Sequence, residues 1–334
     1  LIPGIQSFNG NNHLHLSNTM TDLINKYKQW KQEKDAKRKE PETPVEHIIA
    51  WFKTMFGAIF FIMIVNGLLF GSFVVPTGSM ENTVATGDFV FVNRLIYAPS
   101  TPQMIPFINK PLPFYRLPGY ADPKVGDVIV FIYPGDRDDI QPRDFTYYLK
   151  RCVGIAGDTL EIRKTKVYVN GKEFSLPRDG KFDLSMEPPT EFKEQWLQAQ
   201  KDHSFPIGRG YTRDDWGPMR IPKAGDVITL DKNAIMEWQT FIRREGNTFA
   251  VEGEKIFING KETTSYTVKK DYCFGLGDNR NNSEDSRYWG FIPMENVIGT
   301  PMIVYWSWDT GRPITDIFKK ISSIRWSRIG TIIR

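Results

Sequence analysis

Hydrophobic and polar positions divide the chain into two regimes. From Thr54 to Val75 no charged residue occurs, and Phe, Ile, Met, Leu and Val dominate. A bilayer crossing needs roughly 20 mainly apolar residues, so this segment is predicted to be a transmembrane helix. Ahead of it, Thr21 to Lys39 is polar, charge-rich and helix-prone, and Pro41 and Pro44 interrupt it. A second helix is predicted to start at Pro44-Val45-Glu46, with Thr43 as its cap, and to run into the span. Beyond Pro76 the pattern shifts to short β-branched and aromatic runs bounded by Gly, Pro and Asp. These are Asp88-Phe-Val-Phe-Val, Asp127-Val-Ile-Val-Phe-Ile-Tyr and Phe145 to Val153. Asn170-Gly171 and Asn259-Gly260 each punctuate such runs and predict tight hairpins. Pro123-Lys-Val-Gly-Asp-Val-Ile returns as Pro222-Lys-Ala-Gly-Asp-Val-Ile, so strand-entry units are reused and the outer region is largely β. Ser175 to Thr248 is less regular. It holds Pro188-Pro189, a helix predicted over Thr190 to Lys201 and several Trp, and it reads as an insertion forming a second lobe. The tail, Thr310 to Arg334, mixes Ile, Trp and basic residues. It is expected to pack as a terminal helix, with a position on the membrane surface as the alternative.

Charge orients this arrangement. Lys26, Lys28, Lys31, Lys34, Lys37, Arg38, Lys39 and Lys53 precede or enter the apolar segment, whereas the first basic residue after it is Arg94. The positive-inside rule puts the N-terminus in the cytoplasm and everything after Val75 outside. The segment is too long and too far from the N-terminus for a cleaved signal peptide, and no small-x-small site follows it, so it reads as a retained anchor. The chain opens on Leu with an Asn-rich stretch lacking periodicity; translation is expected to start at Met20. The predicted organisation is therefore an extension (1–19), a cytoplasmic segment (20–46), a transmembrane region (47–75), a β core (76–174 and 249–309), the inserted lobe (175–248) and a tail (310–334). A net charge of +4, with its densest basic run mixed with acids, gives no reason to expect a nucleic-acid partner. The two cysteines, Cys152 and Cys273, exclude a cysteine-rich zinc site or a disulfide scaffold. Two buried thiols in strands are expected, with a single disulfide as the alternative in an oxidising compartment.

Ser79 follows the apolar segment directly, in Pro76-Thr77-Gly78-Ser79-Met80. A serine hydroxyl is a weak nucleophile and needs a base. Of the four histidines, His13, His15 and His47 fall on the cytoplasmic side, and His203 lies in the irregular insertion. A Ser-His-Asp triad is therefore not expected. There is also no Gly-x-Ser-x-Gly elbow, no lysine at the fourth position of a Ser-x-x-Lys pattern, and no His-Glu-x-x-His. Lysine remains, because burial lowers its pKa toward neutrality. Lys150, in the strand-like run Tyr147-Tyr148-Leu149-Lys150-Arg151-Cys152-Val153, is the candidate. By itself it reads rather as a lysine at a sheet edge with its ammonium in water.

Four ordered motifs change that balance. Pro76-Thr-Gly-Ser-Met-Glu-Asn-Thr83, Gly126-Asp-Val-Ile-Val-Phe131, Tyr148-Leu-Lys-Arg-Cys-Val-Gly154-Ile-Ala-Gly-Asp158 and Gly277-Asp-Asn-Arg-Asn-Asn-Ser283-Glu-Asp-Ser-Arg287-Tyr-Trp-Gly290 together resemble the boxes of the bacterial type I signal peptidases, or leader peptidases. The tail Ser327-Arg328-Ile329-Gly330 is also similar. The resemblance covers the anchor and about half of the outer region, and it omits Ser175 to Thr248 and the first forty residues. It implies a mainly β, signal-peptidase-like antiparallel catalytic core with an inserted second lobe and one N-terminal transmembrane helix. It implies Ser79 as nucleophile and Lys150 as general base, with the oxyanion held by the Ser79 N–H and the Thr77 hydroxyl. It implies that Ser283 hydrogen-bonds Lys150, that Asp278, Arg151, Asp285 and Arg287 support the site, and that Tyr148 shapes the substrate pocket. The function it implies is removal of signal peptides from exported preproteins at the outer face of the cytoplasmic membrane, without metal or cofactor. Exported preproteins, the lipid bilayer and the secretion machinery are the expected partners. Many Gram-negative members have two membrane segments, and this chain shows one. A non-enzymatic envelope scaffold with a peptidase-like shell, and a self-cleaving Ser-Lys protease of the repressor type, are the rival readings. The second would call for a DNA-binding module where the anchor stands.

Overall fold

The structure, a computed structural model, describes residues 22, 25–33, 43–105, 110–175, 180–182, 188–231, 234–313 and 315–334. The expectations for the extension at 1–19 and for a start at Met20 lie outside these residues. Helix α1, Pro44–Leu68, runs 25 residues, about 37 Å at 1.5 Å per residue. The Thr43 hydroxyl accepts from the Glu46 N–H at 3.2 Å, and the Glu46 carboxylate accepts from the Thr43 N–H at 3.3 Å. This reciprocal capping box fixes the start of the helix. Its apolar window has a mean hydropathy of 2.2, and no part of that window is buried by protein.

The helix ends earlier than the apolar run. Phe70–Val74 is a strand, so residues the sequence assigns to the span belong to a sheet. Hydrophobicity alone does not separate a helix from a buried strand; the backbone partners do. The Asn66 side-chain oxygen accepts from the Ser72 N–H at 3.3 Å, and the Leu69 carbonyl accepts from the Arg94 N–H at 3.0 Å. Gly67 lets the helix end lie against the backbone of residues 100–102, where an added Cβ would meet the Ser100 carbonyl oxygen at 2.6 Å.

The principal sheet has seven strands, numbered here in chain order: β1 Phe70–Val74, β2 Asp88–Asn93, β3 Val128–Ile132, β4 Tyr147–Ile155, β5 Tyr272–Leu276, β6 Ile292–Pro293 and β7 Val297–Ser307. Their spatial order is β1-β2-β7-β3-β4-β5-β6, and every pairing is antiparallel. The predicted hairpins form at Lys166–Val169/Lys172–Phe174 and Lys255–Ile258/Lys261–Glu262. Asn170, Gly171, Asn259 and Gly260 all have φ between 51° and 77°, the left-handed region that tight hairpin turns demand. Residues of the insertion share sheets with their flanks. Trp216–Arg220 pairs with Thr159–Arg163, and Val227–Thr229 pairs with Ser265–Thr267. Helix α2, Lys193–His203, covers most of the predicted 190–201 helix. Helix α3, Ala234–Arg244, forms within the segment that reads from sequence as irregular. It presents Ile235, Trp238, Phe241 and Ile242, at helical spacing, to a core with Leu160, Trp216, Phe274 and Phe291.

A second core lies under the first motif: Val75, Met80, Val84, Val90, Val92, Val128, Val130, Ile298 and Val304. Cys152 and Cys273 are buried free thiols in a third, beside Ile129, Phe131 and Trp289. The tail packs onto the sheet through Ile333 and through Arg328, which pairs with the buried Asp88 at 2.6 Å. Phe318 and Trp326 of the same tail remain exposed.

Candidate active site

The chain leaves β1 at Pro76 and returns as β2 at Asp88. Reciprocal hydrogen bonds close this loop, Val75 N–H to Asp88 O and Gly87 N–H to Val75 O, each at 2.8 Å. Inside it, Gly78–Met80 makes one short 3-10 turn. Met80 is 1% exposed and anchors the turn in the core, which leaves Ser79 at its tip. The fourth motif grips the same turn. The Asn279 N–H donates to the Ser79 carbonyl at 3.0 Å, and its side-chain amide donates to Gly78 O at 3.2 Å.

Lys150 lies on β4 opposite Ile129 of β3. Its side chain passes Gly275 of β5, where an added Cβ would come within 3.1 Å of Lys150 Cβ. The lysine is 4% exposed, and Nζ hydrogen-bonds Ser79 Oγ at 2.8 Å. Burial pushes the Lys150 amine down from 10.5 to about 8, while the Asp285 and Glu284 carboxylates push it up and the Arg287 guanidinium pushes it down again. A lysine in this setting exchanges its proton near neutrality, as a general base must. Thr77 Oγ1 lies 3.5 Å from Ser79 Oγ.

Around this pair stand two bidentate ion pairs. Arg151 donates to both oxygens of Asp278, at 2.8 and 2.7 Å, with both side chains almost fully buried. Thr83 donates a third hydrogen bond to Asp278 at 2.6 Å, and the Arg334 carbonyl accepts from Arg151 at 3.2 Å. Arg287 donates to both oxygens of Asp285 at 2.8 Å, and the Gly277 N–H adds another at 3.1 Å. Burial alone would raise the Asp285 carboxyl; the Arg287 guanidinium outweighs it and holds the group below the usual range. Both pairs tie neighbouring segments of the four motifs, and neither carboxylate touches Ser79 or Lys150 directly.

Ser283 departs from expectation. It lines the cleft with Lys150, but its hydroxyl makes no hydrogen bond in this structure, so the expected bond to Lys150 is not formed. Its position is set by Gly277, whose added Cβ would sit 2.1 Å from Ser283 Oγ and 2.6 Å from the Ser79 carbonyl oxygen. Tyr148 also lines the cleft, with its ring centroid 5.5 Å from Lys150 Nζ and its ring stacked 4.2 Å from that of Tyr133.

Ser79 and Lys150 open onto a cleft of about 580 Å³. Its apolar lining, Phe73, Val74, Val75, Val90, Val130 and Leu149, comes from the segments around β1 to β4; its polar lining, Asn281, Asn282, Ser283, Glu284 and Tyr288, comes from the fourth motif. Sequence reasoning passed over Thr83, Gly277, Glu284 and Tyr288, all of which lie inside the quoted motifs. It also passed over Phe73 and Tyr133, which lie outside them. Among the described residues no group of three or more His, Cys, Asp or Glu is arranged to hold a metal ion.

Residues 48–306 match the family described as signal peptidase, peptidase S26. Among similar curated proteins, signal peptidase I of Pseudomonas aeruginosa is 27% identical over 85% of this chain and 79% of its own length. Signal peptidase I of Aquifex aeolicus is 26% identical over 83% of this chain and 95% of its own. That of Helicobacter pylori (strain J99) is 26% identical over 84% and 92% respectively. A solved signal peptidase I from Enterococcus faecalis aligns with 53% of this chain and 95% of its own at 22% identity, with a TM-score of 0.22.

Proposed function

The chain belongs to the signal peptidase family, peptidase S26, and is a serine peptidase; from that premise we propose that it is a membrane-anchored endopeptidase that removes signal peptides, with Ser79 as nucleophile and Lys150 as general base. One observation carries this reading above the others. A lysine buried to 4% exposure holds Nζ 2.8 Å from a serine hydroxyl in a cleft large enough for a peptide. In its neutral form Lys150 takes the Ser79 proton as Oγ attacks the scissile carbonyl carbon. The tetrahedral oxyanion is held by the Ser79 N–H and the Thr77 hydroxyl. Lys150 then gives its proton to the departing amine as the C–N bond breaks, leaving an acyl ester on Ser79. Water, deprotonated by Lys150, hydrolyses that ester and restores the serine.

The ion pairs Arg151–Asp278 and Arg287–Asp285 act by holding the backbone that carries Lys150 and Ser283. The substrate adds as a strand. β1 is an edge of the large sheet, and Tyr147–Lys150 of β4 extends past the end of its pairing with β5. An extended peptide between them would find backbone partners on both sides, with alternate side chains entering the apolar lining. Small residues at the first and third positions before the cut suit pockets shaped by Tyr148 and the valines. The apolar helix Pro44–Leu68 anchors the chain, with its basic N-terminal flank in the cytoplasm and the peptidase on the outer face. The substrates on this reading are exported preproteins, which are delivered beside the bilayer by the secretion machinery. Incubating the full chain in detergent with a preprotein, and sequencing the new N-terminus, tests the proposal. A single cut after a small-x-small sequence is expected. An intact preprotein at alkaline pH would leave the scaffold reading in its place.

A further inference from the structure

The polar lining of the cleft carries a carboxylate that the chemistry above does not use. Glu284 lies between Ser283 and Asp285, lines the same cleft as Ser79 and Lys150, and has its side chain 57% exposed. Its partner comes from the insertion. His203, the last residue of α2, places Nε2 2.9 Å from Glu284 Oε1, and its ring centroid is 5.0 Å from that of Tyr288, which also lines the cleft.

The end of α2 is fixed there by bonds to the peptidase core. The Phe205 N–H donates to the Arg287 carbonyl at 2.8 Å, inside the fourth motif. Arg137, from the connection between β3 and β4, donates to the Asp202 carbonyl at 2.6 Å and the Ser204 carbonyl at 3.3 Å. The Trp216 indole N–H donates to the Phe205 carbonyl at 2.6 Å. The backbone on both sides of His203 is thus tied down, which places the imidazole beside Glu284. The two sets of lining residues divide the substrate. The apolar set suits the small side chains before the cut. The peptide strand before the cut runs between β1 and β4, so Asn281 to Glu284, which come from the fourth motif, are left to meet the segment that departs.

We propose that Glu284, positioned by His203, is a specificity residue that favours preproteins bearing Lys or Arg immediately after the scissile bond. The proposal rests on the peptidase function above and gives the insertion a part in it. The Glu284 side chain is 57% exposed, so water screens its charge and its effect on a neighbouring substrate charge is modest. An exchange of Lys for Glu at the adjacent substrate position reverses the sign of the interaction and so doubles the difference, which for a water-screened pair roughly 6 Å apart corresponds to about a tenfold preference.

The test uses the full chain in detergent at pH 8 with three preproteins that differ only in having Lys, Gln or Glu as the first residue after the cut. They are mixed in one reaction, so the product ratio reads relative kcat/KM. The Lys substrate is expected to exceed the Glu substrate about tenfold. Glu284→Gln should bring the ratio near one, and Glu284→Lys should invert it. His203→Ala should reduce the ratio, and His203→Gln should restore it because the amide still donates to the carboxylate, a rescue that loss of structure would not give. A wild-type ratio near one, or a ratio unmoved by Glu284→Lys, overturns the proposal. So does a charge preference that appears only at positions before the cut. If even the Gln substrate is untouched, the peptidase reading itself has failed; if it is cut without charge preference, only this inference has.

Discussion

The depressed amine of Lys150 sets a specific pH–rate profile. With the amine at about 8, the neutral fraction is about 1% at pH 6, about 9% at pH 7, one half at pH 8 and about 91% at pH 9. If neutral Lys150 is the base, kcat/KM rises about tenfold from pH 6 to pH 7 and less than twofold from pH 8 to pH 9. A solvent-exposed lysine, at about 10.4, would give close to a tenfold rise in that last interval too. The interval from pH 8 to 9.5 therefore discriminates. The assay is single-turnover cleavage of a preprotein lacking titratable groups near the cut, so that chemistry limits the rate. Glu284→Gln supplies an internal control. Removing a carboxylate that favours the ammonium form moves the midpoint to lower pH. A flat profile from pH 6 to 9, or a rise that continues undiminished through pH 10, would refute the buried-lysine argument.

Replacing Lys150 with Met should abolish cleavage and raise stability. The folded-state pKa of about 8 lies below the ordinary 10.5, so the unfolded chain holds the proton more tightly. The penalty is about 3 kcal/mol, fully present below about pH 8 and lost as pH rises through about 10.5. The gap in melting temperature between variant and wild type should close over that window; a gap that stays constant with pH would oppose the argument. Thr77→Val should lower kcat by about 10²–10³ with little change in KM, whereas Thr77→Ser keeps the hydroxyl and most of the rate; equal losses in both would point to packing instead. Asp278→Ala leaves Arg151 buried without its carboxylate and should cost about 3–5 kcal/mol in chemical denaturation; a loss under 1 kcal/mol would show that water reaches the guanidinium.

Much of the site could be read from the sequence because it is built from contiguous motifs. Ser79, Lys150, Asp278 and Arg287 each sit in a run whose neighbours identify it. Their roles were not readable one by one. Lys150 in Tyr147–Val153, taken alone, fits an edge lysine better than a buried base, since its burial involves Gly275, which is distant in sequence. The apolar run Thr54–Val75 misled at its C-terminal end, because the pairing of Phe70–Val74 with β2 is a tertiary choice that hydropathy does not encode. Helix α3 has its apolar residues at three- and four-residue spacing, but they are embedded among Pro, Gly and Trp in a segment that reads as irregular. The insertion reads from sequence as a second lobe, but the pairing of its strands with Thr159–Arg163 and Ser265–Thr267 depends on long-range partners that no local pattern announces. His203 lies in the irregular insertion by sequence, and its place beside Glu284 emerges only from the end of α2.

The central claim is that Ser79 and Lys150 form the catalytic pair. The most direct measurement is the cleavage rate of one preprotein by wild type, Ser79→Ala and Lys150→Ala at pH 9, with the melting temperature of each protein recorded in the same detergent. The expected result is cleavage by wild type and none above background by either variant, with all three folded. Substantial turnover by folded Lys150→Ala would contradict the pair and require another base.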